Sequence, residues 1–238
     1  MSNPIPLELN LNWWWYKLKN SYLNYLLNKN SNFKEIPKIL EIGPGMGNNL
    51  RILEKYGKVS ALEIEEHFIN QLIQNQQIAS NKIFGTFDDI ENSKFEIIIA
   101  LDVLEHIEDT KSFLENINKV LKDNGLLIIS VPAYKSLWSN HDVNLKHIKR
   151  YNWKLVHEEI SPLFNIQQKL GMNYLLLPLR FIQIKLFKNF SSTEENSKVL
   201  NSIFLLVSKI ESFLLSLNLN PKFGLSLFVL ATKKTTLG

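Results

Sequence analysis

Apolar positions recur along the chain with two spacings, and they divide it into alternating strands and helices. The clearest segment is Phe95–Leu101, Phe-Glu-Ile-Ile-Ile-Ala-Leu. A run so continuously apolar suits a strand covered on both faces. Lys38–Ile42, Lys58–Glu63, Leu126–Val131 and Phe164–Leu170 read as further strands, the last at an edge, and Lys82–Phe84 as a short, weakly marked one. Helical spacing falls between them, over residues 12–28, Asn48–Tyr56, Glu66–Gln76, Thr110–Leu121 and Trp153–Ile160. Lys122–Gly125 marks a turn before the fifth strand. Strands alternating with helices predict an α/β fold. Tyr174–Phe187 and Lys198–Leu217 form two more apolar-faced helices, joined by the hydrophilic loop 189–196. They fill roughly fifty residues that a minimal fold of this kind does not need.

One stretch carries the chemistry. The strand Lys38–Ile42 runs into Gly43-Pro44-Gly45-Met46-Gly47, and Leu50, Ile52, Leu53 and Tyr56 follow at helical spacing. This is the strand–turn–helix of a nucleotide-type binding fold. Gly43 permits a tight turn, and Gly45 lets backbone approach a ligand with no Cβ between them. The amides opening the next helix favour a carboxylate or phosphate there. The second strand ends in Glu63, twenty positions after Gly43. A carboxylate at that tip can accept both hydroxyls of a ribose.

The third glycine stands one residue early for a dinucleotide fingerprint, with Asn48 in the reserved place. The arrangement E-x-G-x-G-x-G, Glu41 through Gly47, resembles the first motif of class I S-adenosylmethionine-dependent methyltransferases. Leu101-Asp102-Val103-Leu104-Glu105-His106-Ile107-Glu108-Asp109 closely resembles the fourth-strand motif of their small-molecule branch. Methyltransferases of nucleic-acid amino groups carry an Asp/Asn-Pro-Pro-aromatic run at this point, so the resemblance implies no nucleic-acid partner. Trp138-Ser139-x-His141-Asp142, then His147-x-x-Arg150-Tyr151, resembles a subgroup often found beside glycan or lipid pathway enzymes. The Trp-Trp-Tyr near the N-terminus and Gly224–Leu227 fit the same subgroup.

The resemblance implies a Rossmann-like, seven-stranded, mostly parallel sheet with Leu225–Thr232 as a reversed final strand, plus a helical insertion before it. It implies a core over 38–170, an aromatic helix or lid over 1–37, an insertion over 171–222, and a closing strand and tail over 223–238. S-adenosylmethionine would be the cofactor and S-adenosylhomocysteine its product. Glu41, Gly43, Gly45, Gly47, Glu63 and Leu101 are the implied cofactor contacts, with Phe87 along the adenine face and Asp88 reading its amino group. Asp89 is the alternative to Asp88, and either can be an exposed turn residue. The acceptor would be a small molecule, an oxygen of a glycan or lipid precursor. Tyr134, Arg150 and Tyr151 are its expected contacts.

Composition narrows these readings. With 238 residues, 45% apolar and 11% aromatic, the chain suffices for one α/β domain with a full core. It has no cysteine, which excludes disulfides, thiolate metal sites and cysteine nucleophiles. Its net charge of +4 does not by itself argue for nucleic acid. No signal peptide is read in Met1–Leu11. Arg180, Lys185, Lys209 and Glu211 interrupt the apolar C-terminal segments, leaving charge-free runs of about ten residues against the roughly 20 that span a bilayer. A cytoplasmic protein is expected, with room for peripheral membrane contact near Lys185 and Lys188, for homodimerisation, or for a cap over the acceptor through the insertion.

An acceptor hydroxyl would need a base, and histidine suits neutral pH. His141, beside Asp142 and after the fifth strand, is the first candidate, and His147 the second; His106 is read as shaping the pocket. Reaction without a protein base is the third reading. His141, Asp142 and His147 are also three candidate metal ligands within seven residues, yet nothing fixes their geometry and no metal is expected. Lys146, Lys149 and Arg150 would suit an anionic acceptor, Arg150 bidentately. A dinucleotide oxidoreductase and a non-catalytic cofactor-binding or partner module are the competing classes.

Overall fold

A computed structural model describes residues 13–186 and 198–234. The readings of Met1–Leu11, of the loop 189–196 and of Lys188 therefore lie outside the described residues. The elements run α1 (Trp14–Asn30), β1 (Lys38–Ile42), α2 (Leu50–Leu53), β2 (Lys58–Leu62), α3 (Glu66–Gln74), β3 (Ile83–Phe84) and β4 (Phe95–Leu101). Then come α4 (Thr110–Val120), β5 (Leu121–Pro132), α5 (Asn140–Asn144), α6 (Trp153–Ile160), β6 (Phe164–Met172), α7 (Leu177–Leu186), α8 (Lys198–Ser216) and β7 (Ser226–Lys233).

The seven strands form one sheet in the order β3-β2-β1-β4-β5-β7-β6, and β7 alone runs antiparallel to its neighbours. This is the expected Rossmann-like sheet with a reversed final strand. Alternation along each strand sorts side chains to two faces. Leu40, Ile42, Ile98, Ala100, Leu127, Ile129 and Val229 pack with α4 and α6 on one face. Ile39, Ile97, Ile99, Leu126, Ile128 and Phe228 pack with α1, α2, α3 and Leu215 of α8 on the other. β4 is central and covered on both sides, which is what its unbroken apolar run required.

Three boundaries move. The helix expected over Asn48–Tyr56 is a series of turns around the single helical turn α2, so an anion site at its N-terminus has little helix behind it. The turn expected at Lys122–Gly125 is an outward irregularity within β5, with Asn124 at φ 60° and pairing resumed at Leu126. The final helix of the expected insertion is also part of the core layer. Trp14 meets Phe204 at 5.1 Å between ring centroids, and Tyr22 Oη donates to Glu211 Oε1 at 2.9 Å, so α8 packs along α1. Its outer side carries Ile203, Leu206, Ile210 and Phe213, all about half exposed or more. No described helix is long and apolar enough to cross a membrane.

Glu211 is fully buried where α1, α8 and the end of β6 meet. Besides Tyr22 it accepts the backbone N–H of Asn173 at 2.6 Å, while Tyr22 Oη also reaches Gly171 O at 2.7 Å. Burial pushes its carboxyl up to about 7, against 4.5 in a free chain. The folded protein thus holds this proton where the unfolded chain releases it. The group's contribution to stability is full below the unfolded value and is lost as pH rises through about 7. Glu211→Gln keeps an acceptor oxygen without the titrating proton. Between about pH 5 and about pH 7.5 the variant should lose less stability than the wild type, by up to roughly 3 kcal/mol. Urea unfolding across that range measures the difference, and parallel curves would exclude this role.

Candidate functional site

All the sequence-read positions fall at the carboxyl edge of the sheet, and there the backbone is unusual. Gly43, Gly45 and Gly47 after β1, Asp102 after β4 and Tyr134 after β5 all have positive φ, between 53° and 74°. For Asp102 and Tyr134 that conformation costs energy, and such strain clusters at functional sites. A Cβ on Gly43 would stand 2.9 Å from Val103 Cγ2, whereas one on Gly45 would meet nothing within 4 Å. Gly45 therefore fronts open space that a side chain would fill.

Polar groups beneath and beside this loop are short of partners. Glu63, 5% exposed, accepts N–H groups from Gly45 at 3.0 Å, Ile64 at 2.9 Å and Glu65 at 3.0 Å, tying the loop to the end of β2. Glu41 is buried on the α1 side and accepts Asn49 Nδ2 at 2.6 Å; burial pushes its carboxyl up to about 7. Glu41 Oε2, Asn48 Oδ1 and Asn49 Oδ1 are buried with no hydrogen-bond partner in the protein. Buried polar atoms are nearly always satisfied, so these fit a polar ligand or ordered water on the loop. The residues expected to hold S-adenosylmethionine fit it in that sense. Beyond β3, Asp89 Oδ2 accepts the N–H groups of Gly85 at 3.0 Å and Thr86 at 2.8 Å, so Asp89 builds the turn and Asp88 stands exposed beside it. Phe87 packs edge-on against Phe113 at 5.7 Å, and Leu101 closes β4 in the core.

Helix α1 covers the same edge. Tyr16 stands beside the side chain of Asn48 on the loop. Lys19 Nζ lies 2.5 Å from Asp102 Oδ2, and Asp102 Oδ1 accepts Ser130 Oγ–H at 2.6 Å. Burial opposes ionisation of Asp102, but Lys19 outweighs it and holds the carboxyl below its ordinary value.

On the other side of β4, residues 133–151 fold around Asp142. Its side chain is 0% exposed; Oδ2 accepts the Ser139 N–H at 2.9 Å, and Oδ1 pairs with His147 Nδ1 at 2.9 Å and Arg150 Nε at 2.6 Å. Burial would raise its pKa, but His147 and Arg150 hold the carboxyl well below the usual range. His147 Nε2 lies 4.0 Å from Glu105 Oε1, and the His147 ring meets His106 edge-on at 4.9 Å. Glu105 is 1% exposed with neither carboxylate oxygen partnered, and burial, then Asp102, raise its pKa well above the ordinary value. Ile148 N–H donates to Glu105 O at 2.9 Å, and Tyr134 N–H to Tyr151 O at 2.7 Å, pinning the segment to the sheet edge. Glu105, His106 and His147 offer ligand atoms within 4.8 Å of one another and could hold a cation.

Several expectations need correction. His141 is exposed on α5, and the carboxylate beside it in sequence serves His147 instead, so the order of the two histidines reverses. Arg150 bonds Asp142 and, at 3.0 Å, Ala133 O, and Lys149 bonds Glu159 at 2.8 Å, so both cations are engaged within the protein. Tyr151 is 1% exposed with Oη donating toward Leu104 O at 3.2 Å and Glu159 Oε2 at 3.0 Å, so it is a core residue and no acceptor contact. Tyr134 does face the insertion, 6.4 Å from Phe181. The three candidate metal ligands His141, Asp142 and His147 are not brought together as a site: Asp142 bonds His147, and His141 is exposed on α5. Sequence reasoning passed over Lys19, Asp102 and Glu105 as site residues. Lys19 could have been found, since it lies on the helical stripe with Tyr22, Leu23 and Leu26 that the core claims.

The family model described as "Methyltransferase domain" matches residues 14–170. The ubiquinone biosynthesis O-methyltransferase of Rickettsia prowazekii is 27% identical over 139 residues, 52% of this chain and 55% of that one. Its counterpart in Rickettsia bellii is 31% identical over 116 residues, 45% of this chain and 48% of the relative. The chain thus matches about half the length of these curated relatives. Among solved structures, the N-methyltransferase NodS of Bradyrhizobium japonicum, in complex with S-adenosyl-L-homocysteine, is similar with a TM-score of 0.54 at 12% identity, covering 92% of this chain and 88% of that one. The O-methyltransferase of a trans-AT PKS multienzyme from Brevibacillus brevis has a TM-score of 0.55 at 16% identity, covering 90% and 71%. At such identities the likeness is one of fold.

The loop geometry makes a binding prediction. Gly45→Val puts a branched side chain into the open space at φ 53° and should abolish S-adenosylhomocysteine binding. Glu63→Ala should weaken it by roughly 1–3 kcal/mol, and much less for a 2′,3′-dideoxy analogue. Calorimetry decides, and equal losses for both ligands would separate Glu63 from the ribose.

Proposed function

Given that the chain belongs to the class I S-adenosylmethionine-dependent methyltransferases, we propose that it methylates an oxygen of a small molecule with His147 as general base. The observation that carries the reading is the Asp142–His147 pair, 2.9 Å apart and set beside buried Glu105 at the end of β4. The cofactor, when bound, supplies a methyl group on an electrophilic sulfonium. The Gly43–Gly47 loop with Glu41 beneath it, Glu63 toward the ribose, and Phe87, Asp88 and Leu101 toward the adenine end are the residues that would hold it.

Ionised Asp142 accepts the Nδ1 proton of His147, which leaves Nε2 with a lone pair. Nε2 can then take the proton of an acceptor hydroxyl as its oxygen becomes the nucleophile, and positioning both reactants supplies much of the rate. Burial, then Asp102, raise the pKa of Glu105 beside Nε2, which disfavours its charged form. A non-catalytic module has no need of a carboxylate-oriented histidine at this edge, and the family excludes the dinucleotide oxidoreductase.

The acceptor belongs, on this reading, to a glycan or lipid precursor. Names of the Rickettsia relatives point to quinone biosynthesis, and exposed Leu175, Leu179 and Ile182 of the insertion favour an acceptor with an apolar part. The cap is α7: Arg180 Nη2 donates to Ser139 Oγ at 3.2 Å and Phe181 faces Tyr134. The outer row on α8 is the surface that supports a membrane or second-subunit contact.

His147→Asn should lower kcat by about 10²–10⁴-fold while leaving S-adenosylhomocysteine affinity near wild type. His141→Ala should retain most activity. Product release with a panel of phenolic and sugar hydroxyls tests both; an intact His147→Asn rate would remove the base from the mechanism.

A further inference from the structure

The end of the sheet opposite the glycine loop carries a feature that methyl transfer does not use. There β6 begins and β7 finishes, with Phe164 paired to Lys233. Residues of α6, of β6 and of the chain just after β7 line a cleft of about 330 Å³. That volume lies in the lower range of small-molecule pockets. His157, Lys169 and Lys234 face the cleft, and no aspartate or glutamate lines it.

Neighbouring cations are neutralised. Lys149 pairs with Glu159 at 2.8 Å, Lys154 with Glu158 at 3.8 Å and Lys233 with Asp123 at 3.4 Å. His157, Lys169 and Lys234 make no ion pair among the described residues. Lys169 Nζ rests instead over the Trp153 ring of α6, 5.5 Å from its centroid. A backbone irregularity puts it there. Ile166 pairs with Ala231 and Gln168 with Leu230, so Gln167 is an extra residue in the strand. Such a bulge switches the faces of the side chains beyond it. Lys169 thereby joins Phe164 and Ile166 on the side that α6 covers, while Leu170 packs on the other face. A regular β6 would have turned Lys169 away from the cleft.

We propose that this cleft binds a small phosphate- or diphosphate-bearing molecule, held by Lys169, Lys234 and His157. Three basic groups from three separate parts of the chain meet here without a carboxylate, so a compact, multiply charged anion is the complementary guest. Lysine binds phosphate oxygens as a point charge, and the cleft has no arginine, whose planar fork suits a carboxylate. Ser161 and Asn165 add hydrogen-bonding groups, and Phe164 and Ile166 give the rest of the molecule an apolar wall. The cleft lies across the sheet from the glycine loop, so its occupant is neither the methyl donor nor the acceptor.

Calorimetry of the full chain with inorganic pyrophosphate, and with succinate as a dicarboxylate, tests this. Salt at about 0.1 M screens charges farther apart than about 10 Å. The wild type should bind pyrophosphate and clearly prefer it to succinate. Lys169→Gln with Lys234→Gln should weaken pyrophosphate binding about tenfold or more and leave S-adenosylhomocysteine affinity unchanged. Lys111→Gln with Lys154→Gln removes the same charge elsewhere and should bind pyrophosphate as the wild type does. No pyrophosphate binding at millimolar concentration overturns the proposal and leaves the lysines as guards of the β6 edge. Equal weakening in the second variant also overturns it, making the attraction one of net charge. Equal affinity for succinate overturns the assignment to phosphate. Should the first variant not fold, the His157 ring resonances of the wild type decide: they should shift with pyrophosphate, and unmoved resonances overturn the proposal.

Discussion

One buried carboxylate organises the acceptor side of this protein. Asp142 caps α5 through the Ser139 N–H, fixes the ring of His147, and anchors Arg150, whose guanidinium also bonds the carbonyl of Ala133 at the end of β5. A loop of nearly twenty residues with no disulfide has few other ways to hold one conformation. Burying the charge would be prohibitive alone, but every strong partner converges on it, so it stays ionised. Orientation of the candidate base and folding of the loop are therefore the same interaction.

The opposite face uses ionisable groups for a different purpose. Glu41, Lys19, Asp102 and Glu211 all lie between the sheet and the α1 layer. Glu211 Oε1 accepts Tyr22 Oη–H and the Asn173 N–H and acts as a clasp, while Oε2 is buried without a partner. Glu41 and the two asparagines of the loop are not saturated.

Legibility in the sequence followed the range of the interactions. The strands, the glycine loop and Glu63 are encoded by neighbours: β4 by its apolar run, the loop by glycines at positive φ, Glu63 by its place at a strand tip. The reading erred where a side chain's partner is set by how the loop folds back rather than by its immediate neighbours. Adjacency suggested that Asp142 would serve His141, but residues i and i+1 on a helix point apart, and the helical turn delivers the carboxylate to His147 instead. Arg150 and Tyr151 looked like exposed acceptor contacts because nothing local shows that Asp142, Ala133 and Glu159 claim them. Glu105 stood in a recognised motif, yet only the tertiary structure shows its carboxyl buried without a partner.

The strand order explains why the two halves of the site meet where they do. The sheet runs outward from β1 to β2 and β3 on one side and to β4 and β5 on the other, so the connections diverge between β1 and β4. A crevice opens at such a divergence, and ligands of open α/β sheets settle there. The glycine loop forms one wall and the segment after β4 the other. Asp102, Glu105 and His106 fall within five residues of that second wall: Asp102 turned toward α1 and Lys19, Glu105 and His106 toward His147. A single short segment thus faces both the loop side and the acceptor side, and its positive-φ start is what lets successive side chains divide between them.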